Sequence, residues 1–95
     1  MEVNKLLPIG SVALIKGGKK KIMIIGVKQR NKKKDELFDY LAIPYPEGFM
    51  APELTFFVNH DNLEEVYFRG YETEERDVFL ENLDKYYKDK EKNNE

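Results

Sequence analysis

The sequence contains no cysteine and no tryptophan, and its 95 residues include one serine and one histidine. The lack of cysteine excludes disulfides, thiolate nucleophiles and zinc sites of the finger type. Hydrophobic runs stay well below the roughly 18 residues that cross a bilayer, and Glu2 and Lys5 interrupt any signal-like start. We therefore expect a cytoplasmic protein whose stability comes from packing alone.

Catalysis by a serine triad would have to use Ser11 and His60, the single residues of their types. No Gly-x-Ser-x-Gly elbow surrounds Ser11, which follows Gly10 at the start of an apolar run. A structural role is the simpler interpretation of Ser11, and a capping or surface role is the simpler one for His60. The sequence predicts no catalytic residue and hence no enzyme.

Cofactor and metal motifs are also incomplete. The Gly17-Gly18-Lys19 segment resembles part of a phosphate loop, but Ala13 occupies the first glycine position and Lys20 the Ser or Thr position. His60 and the following aspartate lack a second histidine or the spacing of a calcium loop. We predict no cofactor and no metal site.

Charge is divided unevenly along the chain. Residues 1–34 carry ten Lys or Arg against one Glu, whereas residues 35–95 carry six basic and seventeen acidic residues. Such asymmetry is typical of contact with a charged partner, although two halves folded side by side would also cancel each other's fields. The candidate basic patch is Lys19, Lys20, Lys21, Arg30, Lys32, Lys33 and Lys34.

A nucleic acid would suit this basic patch electrostatically. Binding of single strands also requires aromatic rings between the charges, and all twelve Phe and Tyr come after Lys34. Those rings are more simply assigned to the core and to the buried seam of a helix. Nucleic-acid binding is thus the weaker of two binding hypotheses.

The apolar pattern before residue 70 predicts β-strands. Runs at residues 11–16 and 21–27 flank Gly17 and Gly18, which is typical of a hairpin. Residues 28–36 are polar and lysine-rich, and we predict an exposed loop there. Further strands are predicted at residues 38–43, 54–58 and 66–68, with a helical turn capped by Asp61 or Asn62 before the last.

After Gly70 the apolar period changes to that of a helix. Phe79, Leu83, Tyr86 and Tyr87 have helical spacing, acidic residues precede them and lysines follow. Thr73 is the predicted N-cap, and residues 91–95 are predicted to fray. The expected fold is therefore one α+β domain over residues 1–95, a five-stranded, mostly antiparallel sheet followed by one helix, with a small curled barrel as the alternative.

A rigid segment with prolines at positions 44, 46 and 52 follows the third predicted strand. Its centre, Tyr45, Pro46, Glu47, Gly48 and Phe49, would suit a recognition loop, because proline lowers the entropy lost on binding and aromatics make good anchors. The same residues would equally build a turn whose aromatic side chains pack beneath it. Both interpretations stand at this point.

Four segments carry a resemblance to a known family: LPIGSV at residues 7–12, KGG at 16–18, MIIG at 23–26 and YPEGF at 45–49. In that order they resemble a family of small proteins of Gram-positive bacteria, catalogued as domain of unknown function 4176. The resemblance covers about residues 6–83. It implies an accessory role beside type VII secretion and LXG toxins, and it transfers no catalytic residue.

The leading hypothesis is a non-enzymatic adaptor, chaperone or targeting factor that binds a secreted LXG-type toxin or its small partner proteins. A toxin immunity protein is one alternative, and a small nucleic-acid-binding domain that uses the lysine-rich segments is the other. Insertion into a membrane is not expected, and the sequence leaves the homo-oligomeric state open.

Overall fold

The computed structural model describes residues 6–93, with side chains through residue 90. Its contacts divide the chain into two units: residues 7–71 form a sheet, and residues 72–93 form a helix unit that also includes Leu6. The strands are β1 Val12–Ile15, β2 Lys21–Asn31, β3 Glu36–Pro44, β4 Phe56–Val58 and β5 Leu63–Phe68, and the helix is α1 Glu74–Asn93.

The sheet is antiparallel throughout, in the order β4-β3-β2-β1-β5. β4 and β5 are its two edges, so it stays open and the curled-barrel alternative is wrong. The α+β prediction of a five-stranded sheet followed by one helix is confirmed. Gly17 has φ +78° in the β1–β2 turn, a backbone conformation that costs glycine little.

One face of the sheet forms its core. Cross-strand pairing places Ala13 opposite Ile22, Ile24 opposite Ala42, and Tyr40 opposite Val58, and all six are at most 6% exposed. Because side chains alternate along a strand, the neighbouring residues Val12, Met23 and Ile43 lie on the opposite face. That second face carries the groove described below.

The predicted loop at residues 28–36 is largely wrong. β2 continues to Asn31 and β3 begins at Glu36, so only residues 32–35 form the turn. Two basic side chains of β2 have acidic partners across the hairpin: Lys28 contacts Asp39 at 3.4 Å, and Arg30 contacts Asp35 at 3.0 Å. A solvated two-stranded arm has no apolar alternation for sequence analysis to detect.

The segment between β3 and β5 also differs in detail. A 3₁₀ turn at Pro52–Leu54 precedes β4, so the predicted strand at residues 54–58 shortens to Phe56–Val58. A second 3₁₀ turn covers His60–Asn62 and is capped by Asn59, not by Asp61 or Asn62. Asn62 instead supplies the side-chain oxygen that accepts the Asn59 backbone N–H at 2.9 Å.

The helix unit begins as predicted. The Thr73 hydroxyl accepts the Arg76 backbone N–H at 3.1 Å, which satisfies one of the unpaired donors of the first turn. Arg76 donates to the Leu6 carbonyl at 2.6 Å, and Lys88 pairs with Asp84 at 2.9 Å. The predicted frayed tail, residues 91–95, falls on the last described turn of α1 and on two residues outside the described part.

The predicted buried seam of α1 is wrong in two positions. Phe79 and Tyr86 are 55% and 56% exposed, whereas Leu80 is 2% exposed and Leu83 and Tyr87 are half-buried. The buried stripe of the helix therefore consists of Leu80, Leu83 and Tyr87 and leaves out Phe79 and Tyr86. No helix in the described part of the chain is long and apolar enough to span a membrane.

Candidate functional site

A groove of about 500 Å³ lies on the sheet face opposite the core. Its floor contains Val12 and Met23, which are paired across β1 and β2. Its remaining lining comes from three aromatic side chains, one lysine and one glycine: Tyr45, Tyr67, Phe68, Lys21 and Gly10. The groove thus extends over β1, β2 and the edge strand β5, with one residue from the segment after β3, and its lining is mostly apolar.

The Tyr45 side of the groove is held by the chain that follows β3. The Tyr45 backbone N–H donates to the Lys21 carbonyl at 2.9 Å, and the Gly48 N–H donates to the Pro44 carbonyl at 2.8 Å. Gly48 has φ +79°, and the Tyr45–Pro46 peptide bond is cis. These contacts close a compact turn that leaves Tyr45 45% exposed.

An ion pair ties this turn to the β1–β2 hairpin. Lys20 donates to a Glu47 carboxylate oxygen at 2.6 Å. This hydrogen bond is the main reason that the pKa of Glu47 lies below its usual value, with a bond from its own backbone and the Lys20 charge adding to the effect. The tie fixes the turn beside the strand that supplies Lys21.

The other side of the groove is built by an irregularity in β5. Val12 pairs with Phe68 and Ala13 with Val66, so Tyr67 is an extra residue between them. Such a bulge turns two successive side chains to one side of a strand. Tyr67 and Phe68 consequently both line the groove, although they are sequence neighbours.

Charged groups hold Tyr67 in place. The Lys21 ammonium lies 4.9 Å from the centre of the Tyr67 ring, within reach of a cation–π attraction. A hydrogen bond to Glu65 is the main cause that raises the pKa of the Tyr67 phenol. The groove therefore has an ammonium and a carboxylate at its margin, beside an apolar floor.

Exposed aromatic side chains extend well beyond the groove. Eight of the twelve Phe and Tyr have more than a third of their surface accessible. The assignment of all twelve to the core and the helix seam is therefore wrong. The exposed ones are Tyr45, Phe49, Phe56, Tyr67, Phe68, Tyr71, Phe79 and Tyr86.

The predicted recognition segment forms a turn, and most of its residues lie at the surface. Tyr45 lines the groove, and Phe49 is 61% exposed rather than packed beneath the turn. Pro46 and Glu47 are exposed and Gly48 is half-buried. Of the five predicted residues, only Tyr45 contributes to the groove itself.

The predicted basic residues fall into two groups at opposite ends of β2. Lys19, Lys20 and Lys21 lie at the β1–β2 turn, and Arg30 with the lysines at 32, 33 and 34 lies at the β2–β3 turn. An extended strand of this length spans roughly 30 Å. The structure therefore does not bring the seven residues into one patch.

The β2–β3 turn borders a second groove of about 600 Å³. Lys32 and Lys33 face Pro52, Glu53 and Thr55 across it, with Asn31 and Phe57 completing the lining. Phe57 already packs on Phe38, with ring centres 5.5 Å apart. This groove is more polar than the first and carries both charge signs.

Ser11 and His60, the two residues weighed for catalysis, both take part in hydrogen bonds within the fold. The buried Ser11 hydroxyl accepts the Gly70 N–H at 3.0 Å. His60 Nδ1 lies 2.7 Å from the Tyr40 hydroxyl, which also accepts the Leu7 N–H at 2.9 Å. Within the described residues, no three His, Asp or Glu side chains cluster as metal ligands would.

Sequence reasoning missed Met23, Tyr67 and Phe68 as groove residues. The apolar pattern places Met23 in a strand of the predicted hairpin, and Tyr67 and Phe68 in a short fifth strand. A usable signal was the run of three apolar residues that ends β5, because strict alternation cannot bury all three on one face. The bulge that gathers them is a tertiary feature.

Comparison with protein families gives one match. The model of a family described as domain of unknown function (DUF4176) matches residues 6–79, most of the chain. Comparison with curated proteins and with solved structures gives no match.

Proposed function

The chain belongs to the family described as domain of unknown function (DUF4176), and we propose that it is a non-enzymatic accessory protein that binds a protein partner through the aromatic groove. One observation carries the proposal: Tyr45, Tyr67 and Phe68 surround an apolar groove and remain 45%, 46% and 61% exposed. Proteins that act alone seldom leave such a cluster in water.

The chemistry of the groove favours a protein over a nucleic acid. Tyr and Phe are enriched at protein interfaces because they bury large areas at a low entropic cost. Among the residues that the structure describes, Lys21 is the only basic one that lines the groove, so few phosphates could be neutralised there. Four of the seven predicted basic residues, Arg30 and the lysines at 32, 33 and 34, lie at the far β2–β3 turn.

The sequence resemblance supports a class of partner. We propose that the partner is a type VII-secreted LXG-type toxin or one of its small partner proteins, which this chain holds as a chaperone, adaptor or targeting factor in the cytoplasm before export. A protein that transiently carries an exported toxin needs an apolar surface that is open in the free state, as this groove is.

Co-expression tests the proposal. The chain would be produced together with the toxin and the small helical proteins encoded beside it, then separated on a sizing column. We expect one of these proteins to co-elute with the chain. Elution of the chain apart from all of them would contradict the proposal.

Two controls separate the alternatives. A nucleic-acid binder would shift oligonucleotides at low salt and lose them as salt rises, whereas we expect no shift at any salt concentration. An immunity protein would rescue cells that express the toxin domain alone. We expect the chain to bind the toxin without rescuing these cells, because the groove would engage the targeting part of the toxin.

A further inference from the structure

An exposed stripe runs along α1 and shares no residue with the groove. Phe79 and Tyr86 lie seven residues apart, two turns of helix, and both are more than half exposed. Asn82 lies between them on the same face and is also exposed. Leu80 is 2% exposed and lies about 120° around the helix from Tyr86. The stripe thus presents two aromatic side chains that are more than half exposed, among polar and charged ones.

Opposite charges mark the two ends of the stripe. Glu75 precedes Phe79 by four residues, and Lys90 follows Tyr86 by four, so both lie on the stripe and both are exposed. Lys90 lies 5.8 Å from the centre of the Tyr86 ring. The order along the stripe is therefore acid, aromatic, amide, aromatic, base.

That order is complementary to itself when reversed. If a second helix runs antiparallel, Phe79 of one copy faces Tyr86 of the other, and Glu75 faces Lys90 at both ends. A parallel arrangement would place Glu75 against Glu75 and Lys90 against Lys90. Antiparallel helix dipoles add to the preference.

We propose that two copies of this chain associate through this stripe, with their α1 helices antiparallel and Phe79 packed against Tyr86 of the partner copy. The symmetry is two-fold, as in most homodimers. The contact is one helix pair, smaller than the roughly 1,200 Å² of a standard stable interface. Association is therefore weak and concentration-dependent, and it uses none of the residues that line the groove.

Measurement of molar mass against concentration tests this association on the isolated chain. We expect the mass to rise from 11.2 kDa towards twice that value as the protein approaches about 1 mM. Phe79→Ser should abolish the rise, and Phe49→Ser should not, although Phe49 is equally exposed in the sheet unit. Both substitutions are on the surface, and circular dichroism is the measurement that checks that the variants fold.

Because the chain has no cysteine, single cysteines report the orientation. Glu75 and Lys90 are separated by about 22 Å along the helix. We expect disulfide-linked dimers when Glu75→Cys and Lys90→Cys proteins are mixed and oxidised, and little linkage of either protein alone. Self-linkage of Glu75→Cys would show parallel helices and would overturn the proposal. A molar mass that stays at 11.2 kDa at every concentration, or a rise in mass that persists in Phe79→Ser, would equally overturn it.

Discussion

The Lys20 ammonium donates a hydrogen bond to Glu47 at 2.6 Å, across 27 residues of sequence. This contact links the β1–β2 turn to the turn that carries Tyr45. It therefore joins two of the segments that border the groove, and it is a surface contact whose strength depends on pH.

Loss of the Lys20 partner should raise the pKa of Glu47. The lowered pKa means that the ionised carboxylate is favoured in the folded state. The ion pair between Lys20 and Glu47 is then fully formed above the ordinary pKa of about 4.5. It is lost as the pH falls through the lower pKa that Glu47 has in the folded state. In Lys20→Met, NMR titration of the Glu47 carboxyl should give a value nearer the ordinary one.

Lys19→Met is the matched control for that titration, because Lys19 occupies the same turn without a contact to Glu47. We expect it to leave the Glu47 pKa unchanged. Equal titration of Glu47 in the wild type and in Lys20→Met would show that the ion pair does not form in solution.

Gly70→Ala should be strongly destabilising. A β-carbon at Gly70 would overlap the Ile9 carbonyl oxygen and lie 3.2 Å from the Ser11 nitrogen, so backbone would have to move. We expect a loss of about 3 kcal/mol or more in the free energy of unfolding, measured by urea denaturation. Removal of the nearby hydrogen bond by Ser11→Ala should cost about 1 to 3 kcal/mol.

Gly17→Ala provides the comparison. Gly17 has a positive φ, unlike Gly70, and nothing lies within 4 Å of its would-be β-carbon. Its cost should be limited to the left-handed backbone, about 1 to 2 kcal/mol. If both glycine variants lose equal stability, close packing of Gly70 against residues 9–11 is not the reason for its presence.

Tyr40→Phe should cost about 1 to 3 kcal/mol, because it leaves the Leu7 N–H without its buried acceptor. The His60 ring would lose its 2.7 Å contact at the same time. Urea denaturation measures the change. Tyr45→Phe, which removes a hydroxyl from a partly exposed ring, should change the free energy of unfolding by less than about 0.5 kcal/mol. Equal effects would mean that the buried hydroxyl is unimportant.

Much of the fold was predictable from local chemistry. The tandem glycines, the β-branched runs and the Thr73 cap each act within a few residues. The structure has the hairpin and the helix start where they indicate, and it has the five strands with shifted bounds, such as β5 at Leu63–Phe68 where residues 66–68 were predicted. The extension of β2 to Asn31 was not predictable, because its polar residues are satisfied by partners on β3 that only the pairing register selects.

The groove was predictable only in part. The proline-rich segment pointed to Tyr45, but the approach of Tyr67 and Phe68 depends on the bulge that β5 forms against β1. Hydrophobicity alone also does not distinguish a core aromatic from an interface aromatic, which is why Phe79 and Tyr86 were assigned to a buried seam. The electrical asymmetry between the chain halves likewise gave no information on where the lysines lie in space.

Affinity for the co-eluting partner, compared between two surface variants, tests the central claim most directly. Phe68 lines the groove, whereas Phe56 is exposed on the opposite edge strand. If the groove is the binding site, Phe68→Ser should weaken binding by about 30-fold or more, as expected for an aromatic anchor worth ~2 kcal/mol, and Phe56→Ser should leave it within about 2-fold. Equal affinity of Phe68→Ser and the wild-type protein would contradict the assignment of the groove as the partner-binding site.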